Sequence, residues 1–327
     1  MRDQNSYLEN EKKPHKNFFQ KIYSPFKRFS HYLDAKRGFL FKRSKPEKVI
    51  FGIVFVLFLL YAASLLYPLV WLTVNSLMDS FEYNSNVQNL DPFALPTKLV
   101  WGNYAEVLNN LDDSVSFPLM FLNGMWYSVI SAFLCVFMPA TVAYCLSKFQ
   151  FPGRDVIYGV AIFSMTIPII GNMGAQFKFE VDIGIYDTIF HVIITNLGGL
   201  GGFYFLVMYG FFRNISSAYA EAVYIDGGGE FVVYFRVMLP QASPILLMLM
   251  IMSFIGGWND YMTPILYLPS FPTVASGMYL VSNTLQRTGR SPIYFAGLVI
   301  SMIPVLILFA AFGNKMMNSV SIGGLKG

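Results

Sequence analysis

Between Ala220 and Ile245 the chain reads AEAVYIDGGGEFVVYFRVMLPQASPI, placing Glu221, Asp226, Glu230 and Arg236 among apolar neighbours. Helical spacing puts Ala222, Ile225 and Tyr224 toward one side of a short helix. Asp226 followed by Gly227, Gly228 and Gly229 ends it, because glycine reaches backbone angles that other residues avoid. A second short helix, Glu230 to Val237, then leads through Leu239 to Pro240, whose missing N–H costs little at the start of a helix. Two short helices joined by a glycine turn make a compact knob. The chemistry such a knob offers is recognition, docking into a groove on a partner, rather than bond-making. A plain link between two longer segments is the other reading of the same residues.

No other cluster offers catalysis. His15, His31 and His191 lack metal-ligand spacing, and Cys135 and Cys145 lie on one expected helix, pointing different ways. The run GGLGG at Gly198 to Gly202 lacks the spacing and the preceding strand of a dinucleotide site. It suits close approach of helices, or a break beside a cavity. Gly124, Ser128 and Ala132 recur every four residues, which also suits close helix packing.

The elements that position the knob follow from composition. The chain has 327 residues, 55% hydrophobic and 13% charged, with mean hydropathy +0.49. A soluble domain carries about 25% charged residues, so this chain lacks the polar surface to face water all round. Only helices or closed barrels satisfy their backbone in lipid, and continuous apolar runs select helices. The expectation is an all-α integral membrane protein with six transmembrane helices. They fall at about 49–77, 117–146, 156–176, 185–212, 242–261 and 293–317, the fourth interrupted by NLGGLGG. The first apolar run is too long and begins too late for a secretory signal.

Lys and Arg set the orientation. Residues 1–48 hold 13 of the 23, whereas 79–113 holds six acidic residues and one Lys. The first region is expected inside, the second outside. Lys148, Arg154, Arg213, Arg236, Lys315 and Lys326 then fall inside, Asp182 and Asp187 outside, and both termini are cytoplasmic. Arg287 and Arg290 run against this pattern and are outvoted. In the basic tail, Ile22, Phe26, Phe29 and Leu33 share one helical face ringed by Lys21, Lys27, Arg28, Lys36 and Arg37. Such a segment suits either a helix on the anionic inner leaflet or a disordered tail, and beside a span it does not suggest nucleic acid.

EAVYIDGGGEFVVYFRVMLP resembles the cytoplasmic loop of ABC importer permeases: Glu-Ala-Ala, then Asp-Gly, then a hydrophobic stretch closing on Leu-Pro. Glu221, Ala222, Asp226, Gly227, Leu239 and Pro240 match in type and spacing, while Val223 and Gly228 replace the usual small residue and Ala. Asn123, Ala143-Tyr144 and Phe151 to Arg154 resemble the second span and following loop of the sugar-importing permeases. GWNDYMTPILYL is similar to the end of their fifth span, and GGLKG to their terminal Gly-x-Lys-Gly. The likeness covers about residues 50–327 and is nearest to the smaller partner of maltose-type pairs.

The resemblance implies a basic cytoplasmic tail (1–48) and a permease domain (49–327) with a coupling-helix loop between spans 4 and 5. It further implies an ABC ATPase dimer below, a second permease subunit beside and an extracytoplasmic solute-binding protein above, in the cytoplasmic (inner) membrane of a prokaryote. Glu221 and Asp226 would orient or cap the coupling helix, and Gly227 would supply its turn. The chain itself would be no enzyme and hold no cofactor or metal. It has no Gly-x4-Gly-Lys-Ser/Thr loop, so ATP and magnesium belong on the separate ATPase. Asn123, Asn172, Asn196, Trp258 and Asn259 would line the path, since aromatic faces and amides suit a sugar's C–H surfaces and hydroxyls. Two other classes compete: a secondary carrier driven by an ion gradient, and a membrane scaffold or sensor. Such carriers bury ionisable groups in their spans; here the nearest case, Asp260, sits at a span's end.

Overall fold

A computed structural model describes residues 45–91, 93–110, 116–166 and 171–324, and every regular element among them is helical. In chain order these are α1 (Lys45–Ser76), α2 (Ser80–Gln88), α3 (Gly102–Asn110), α4 (Phe117–Lys148), α5 (Arg154–Thr166), α6 (Met173–Asp182) and α7 (Ile189–Asn196). There follow α8 (Gly202–Asn214), α9 (Ala218–Ile225), α10 (Glu230–Asn259), α11 (Met262–Tyr267), α12 (Val274–Arg287) and α13 (Ser291–Gly324). The amphipathic tail expected around Ile22–Leu33 and the end of GGLKG lie outside the described residues.

Among the described residues four helices, α1, α4, α10 and α13, are long and apolar enough to cross a membrane. Each holds an internal proline, at Pro68, Pro139, Pro244 and Pro304. Lipid-spanning helices tolerate these because neighbouring groups re-satisfy the freed carbonyls.

The expected third and fourth spans differ from this pattern: neither is a single helix. The segment 156–176 contains most of α5 and the start of α6, and 185–212 contains α7 and most of α8. The second break has a visible cause. Gly201 and Gly202 take φ of +82° and +78°, a region other residues rarely enter, and they turn the chain between α7 and α8. Gly199 does something else in the same run. A Cβ there would lie 2.7 Å from Val142 Cγ2 and 3.1 Å from the Met138 carbonyl oxygen, so glycine lets the break press against α4.

The expected fifth span is also corrected. No gap separates a short 230–237 helix from a span starting near Ala242; α10 runs unbroken for 30 residues. Its hydrogen bonding widens to π turns over Val233–Met238 just before Pro240. A π turn there carries the chain past a residue that cannot donate to the regular ladder. Leu239 and Pro240 therefore belong to the long helix, not to the loop.

The chain divides into two units, residues 1–66 and 67–327. In the first, the apolar side chains of α1 are exposed all round, the pattern of a helix solvated by lipid rather than water. In the second, α4 and α10 run through two buried clusters. One joins Ala140, Ala143 and Tyr144 of α4 to Phe205, Met208 and Phe212 of α8 and to Val233, Ala242 and Leu249 of α10. The other joins Phe117 and Met120 of α4 to Phe254 and Trp258 of α10, Met278 and Leu285 of α12, and Ala296 of α13. The four-residue spacing read from the sequence meets its partners in this seam. Gly124 lies under the Trp258 ring, whose Cζ3 is 3.1 Å from where a Gly124 Cβ would stand, and Gly257 would place one 3.3 Å from Ser128 Cα.

Gly199→Ala should destabilise the protein by about 1–3 kcal/mol through overpacking against α4. Gly198→Ala, with open space around its added Cβ, should be neutral. Thermal midpoints in one detergent check this, and equal midpoints for the two variants would contradict the packing role of Gly199.

Candidate functional site

The 215–229 loop is built on a capped two-turn helix. Ala220 and Val223 of α9 pack against the first buried cluster, leaving Ala222, Tyr224 and Ile225 exposed on the other side, Ile225 at 85%. Glu221 lies in the first turn, where the helix dipole favours a negative charge. At the far end Asp226 is the C-cap and Gly227 takes φ +78°. The Gly228 N–H donates to the Val223 carbonyl (2.8 Å) and the Gly227 N–H to that of Tyr224 (3.0 Å), the paired bonds of a Schellman ending. A Cβ on Gly228 would fall 2.5 Å from Val223 Cγ1 and 3.1 Å from the Val223 oxygen, so the second glycine serves close approach.

Both sides of the loop are tied down. The Tyr224 hydroxyl donates to Glu230 Oε1 at 2.8 Å, linking α9 to the first residue of α10. That bond is the main cause raising the Tyr224 pKa above its ordinary value, so the phenol stays a donor. Lys148, the last residue of α4, donates to the Ile215 carbonyl just after α8. Inside the bundle Thr141 and Tyr234 share a hydroxyl hydrogen bond of 2.7 Å, and Tyr144 packs on Tyr234 at 4.7 Å between ring centroids.

At the other end of α10 lies a half-open cavity of about 610 Å³. Trp258, Asn259, Tyr261, Tyr279, Tyr294 and Ser301 line it, together with Phe309 and aliphatic and methionine side chains. Tyr261 and Tyr279 stack at 4.6 Å and 22°. Neither tyrosine was singled out from the sequence, because only the α10–α12 turn brings them together.

Of the residues expected along a path, two meet at this cavity. Trp258 donates Nε1–H to the Ser301 carbonyl (2.9 Å) and stacks on Phe254, showing the cavity part of a ring otherwise held in the core. Asn259 is exposed, and its amide bonds back to the Ile255 carbonyl. Asn123 is buried and engaged through both its amide nitrogen and its oxygen. It donates to the Pro272 carbonyl (3.1 Å) and accepts from Trp126 Nε1 (3.2 Å), fixing the strap after α11 to α4. Asn196 bonds back to Val192 at the end of α7, and Asn172 is exposed just before α6; neither lines the cavity.

A buried polar site was missed altogether. Glu180 of α6 and His191 of α7 are each 2% exposed, with Oε2 and Nδ1 2.6 Å apart. Gln176 donates to the other carboxylate oxygen (2.9 Å), and Tyr267 of α11 stacks on the imidazole at 4.9 Å. Asp187 joins the same clasp, accepting from Ser270 N–H (2.9 Å) and hydroxyl (2.6 Å). Eleven residues of separation hid the pair, since only the α6–α7 turn brings the two groups together.

Comparison with known proteins decides the class. Residues 136–316 match the family described as binding-protein-dependent transport system inner membrane component. The chain belongs to this family. The permease is 28% identical to the diacetylchitobiose uptake system permease protein of Streptomyces coelicolor, over 82% of this chain and 86% of the relative. It is 25% identical to the arabinooligosaccharides transport system permease protein of Bacillus subtilis, over 87% and 99% respectively. Its fold is shared with a chain of a bacterial ABC transporter that imports alginate, at TM-score 0.69 and 22% identity, covering 84% of this chain and 99% of the other.

Because each group of the clasp satisfies the other away from water, Glu180→Leu or His191→Leu alone should cost roughly 3 kcal/mol. The double variant should lose clearly less than the sum, as coupled partners do. A double-mutant cycle on unfolding of the detergent-solubilised permease reads this directly.

Proposed function

We propose that this permease moves a carbohydrate across the cytoplasmic membrane of a prokaryote as a non-catalytic subunit of an ATP-driven importer. The observation that carries the reading is the continuity of α10. It begins at Glu230, hydrogen-bonded to the exposed helix α9, and ends at Trp258 and Asn259 on the cavity. At 1.5 Å per residue its 30 residues span roughly 45 Å. A push on α9 therefore reaches the cavity wall along one rigid element, and alternation of access is a change in that wall.

In this reading α9 is the coupling helix. Glu221, Ala222, Asp226 and Gly227 shape its contact with one member of an ATPase dimer, which holds ATP and magnesium, while Leu239 and Pro240 sit where the motion enters the span. The broken pairs α5–α6 and α7–α8 supply the third and fourth of six crossings, residues 49–327 form the permease domain, and residues 1–48 with the C-terminus face the cytoplasm. A second permease subunit completes the pore and a solute-binding protein delivers the cargo. Carbohydrate as the solute class is supported by the names of the relatives. The cavity's stacked tyrosines and Asn259 support it too, offering ring faces and an amide to a sugar. Among the described residues the one buried carboxylate, Glu180, is closed by His191 and Gln176 and does not line the cavity, which gives the ion-driven alternative no support.

Ala222→Phe and Ile225→Asp alter exposed positions, so both should insert and fold normally. Each should lower sugar uptake at least about tenfold, together with the amount of ATPase that co-purifies. Full uptake by both variants would exclude α9 as the docking element. Asn259→Leu should raise the KM for uptake severalfold without changing ATPase recovery, measured in proteoliposomes of the assembled transporter.

A further inference from the structure

Helix α2 is held on one side and open on the other. Asp79 caps its start by accepting from Phe81 N–H at 2.9 Å, Glu82 accepts from Thr97 N–H at 2.9 Å, and Asn84 donates to the Gly289 carbonyl at 2.8 Å. The remaining face carries Tyr83, Asn86 and Val87, the i, i+3, i+4 stripe of a helix. Opposite stands the end of α1 with Trp71 and Asn75, also one stripe. Two such faces ordinarily close on each other. Here a half-open cavity of about 270 Å³ lies between them, its lining completed by Met78, Leu90, Asp91 and Ala94.

The cavity is built rather than left over. Trp71 and Tyr83 both lie edge-on to a single ring, Phe295 of α13, at 5.4 Å and 64° and at 5.5 Å and 76°. That contact fixes both rings while leaving them half-buried. Asn75 is buried, and one amide N–H goes to the Trp71 carbonyl (2.7 Å). The Asn86 amide meets only Met78 Sδ, at 3.4 Å, a weak acceptor. Burial raises the pKa of the Tyr83 phenol above its ordinary value, so it stays a donor. Two aromatic rings with two amides, a phenol and a carboxylate match a pyranose, which shows C–H groups on its faces and hydroxyls around its edge. An acyl chain would leave the Tyr83 hydroxyl without a partner and the Asn86 amide with only a thioether. The volume is below the roughly 300–1,000 Å³ that drug-sized ligands occupy, so the space takes one ring and not a chain.

We propose that the cavity between α1 and α2 is a subsite for a single sugar ring, separate from the larger cavity at the end of α10. The inference rests on the carbohydrate reading above and adds a second point of contact to it. With α2 in the acidic 79–113 segment, the subsite would meet solute before the larger cavity does.

Saturation-transfer NMR on the assembled transporter in lipid nanodiscs tests this with D-glucose, N-acetyl-D-glucosamine and L-arabinose as probes. Ring C–H signals of at least one sugar should saturate. The signal should weaken about tenfold or more in Val87→Trp, which fills the cavity from an exposed position, and in Asn86→Leu, which removes an amide. Absence of saturation for all three sugars, or saturation unchanged in both variants, overturns the subsite. Uptake of oligosaccharides by the wild-type transporter, measured in parallel, separates the two ideas. Uptake without saturation keeps the carbohydrate permease and removes the subsite. Saturation that the variants abolish, without uptake of any sugar, keeps the subsite and removes the carbohydrate reading.

Discussion

Close approach of α4 and α10 is the constraint on which the second unit is built. Lipid tails are as apolar as the side chains they meet, so helices in a bilayer gain little from merely hiding hydrophobic surface and associate through tight packing. Gly124 admits the Trp258 ring to the α4 backbone, and Gly257 brings α10 against Ser128. Both buried clusters hang on this pair of helices, with α8 completing one and α12 and α13 the other. A side chain larger than glycine at either point would separate the helices and loosen both clusters together.

The polar contacts are distributed to suit that frame. At one end Lys148 and the Tyr224–Glu230 bond tie the 215–229 loop to α4 and α10. At the other, Tyr127 of α4 donates to Asp260 at 2.9 Å, Asn123 holds Pro272, and Asp187 holds Ser270. The chain following α10 is thus gripped by two separate parts of the bundle. Each end of α10 therefore has its own anchorage.

Much of this was legible in the sequence where a local rule decides it. Charge shortage and long apolar runs gave the membrane class, and Asp226-Gly227 marked the end of α9. Spacing alone found the Gly124–Ser128 seam. What was illegible depends on which distant segments meet. Glu180 and His191 look like unrelated residues, one in a loop and one in the expected fourth span, until α6 and α7 fold back, and Tyr261 and Tyr279 stack only across a turn. Asn123 looked like a path residue because an amide near a span's end fits either a solute or a backbone carbonyl; the structure supplies the carbonyl. The extent of α10 was misjudged because Pro240 reads as a starting residue, and nothing in the residue pattern announces π turns that carry the helix past it.

Those π turns fix how the chain can vary over time. A side chain's compass bearing around a helix advances by about 100° per residue, so Trp258 and Asn259 owe their heading to the number of residues counted from Glu230. Substitution within Val233–Met238 leaves that count alone. With the hydrogen-bonding pattern kept, loss or gain of one residue there would swing the far end of α10 by more than a quarter of a turn, withdrawing Trp258 from α4 and Asn259 from the cavity. Length, more than composition, is what this short segment must preserve.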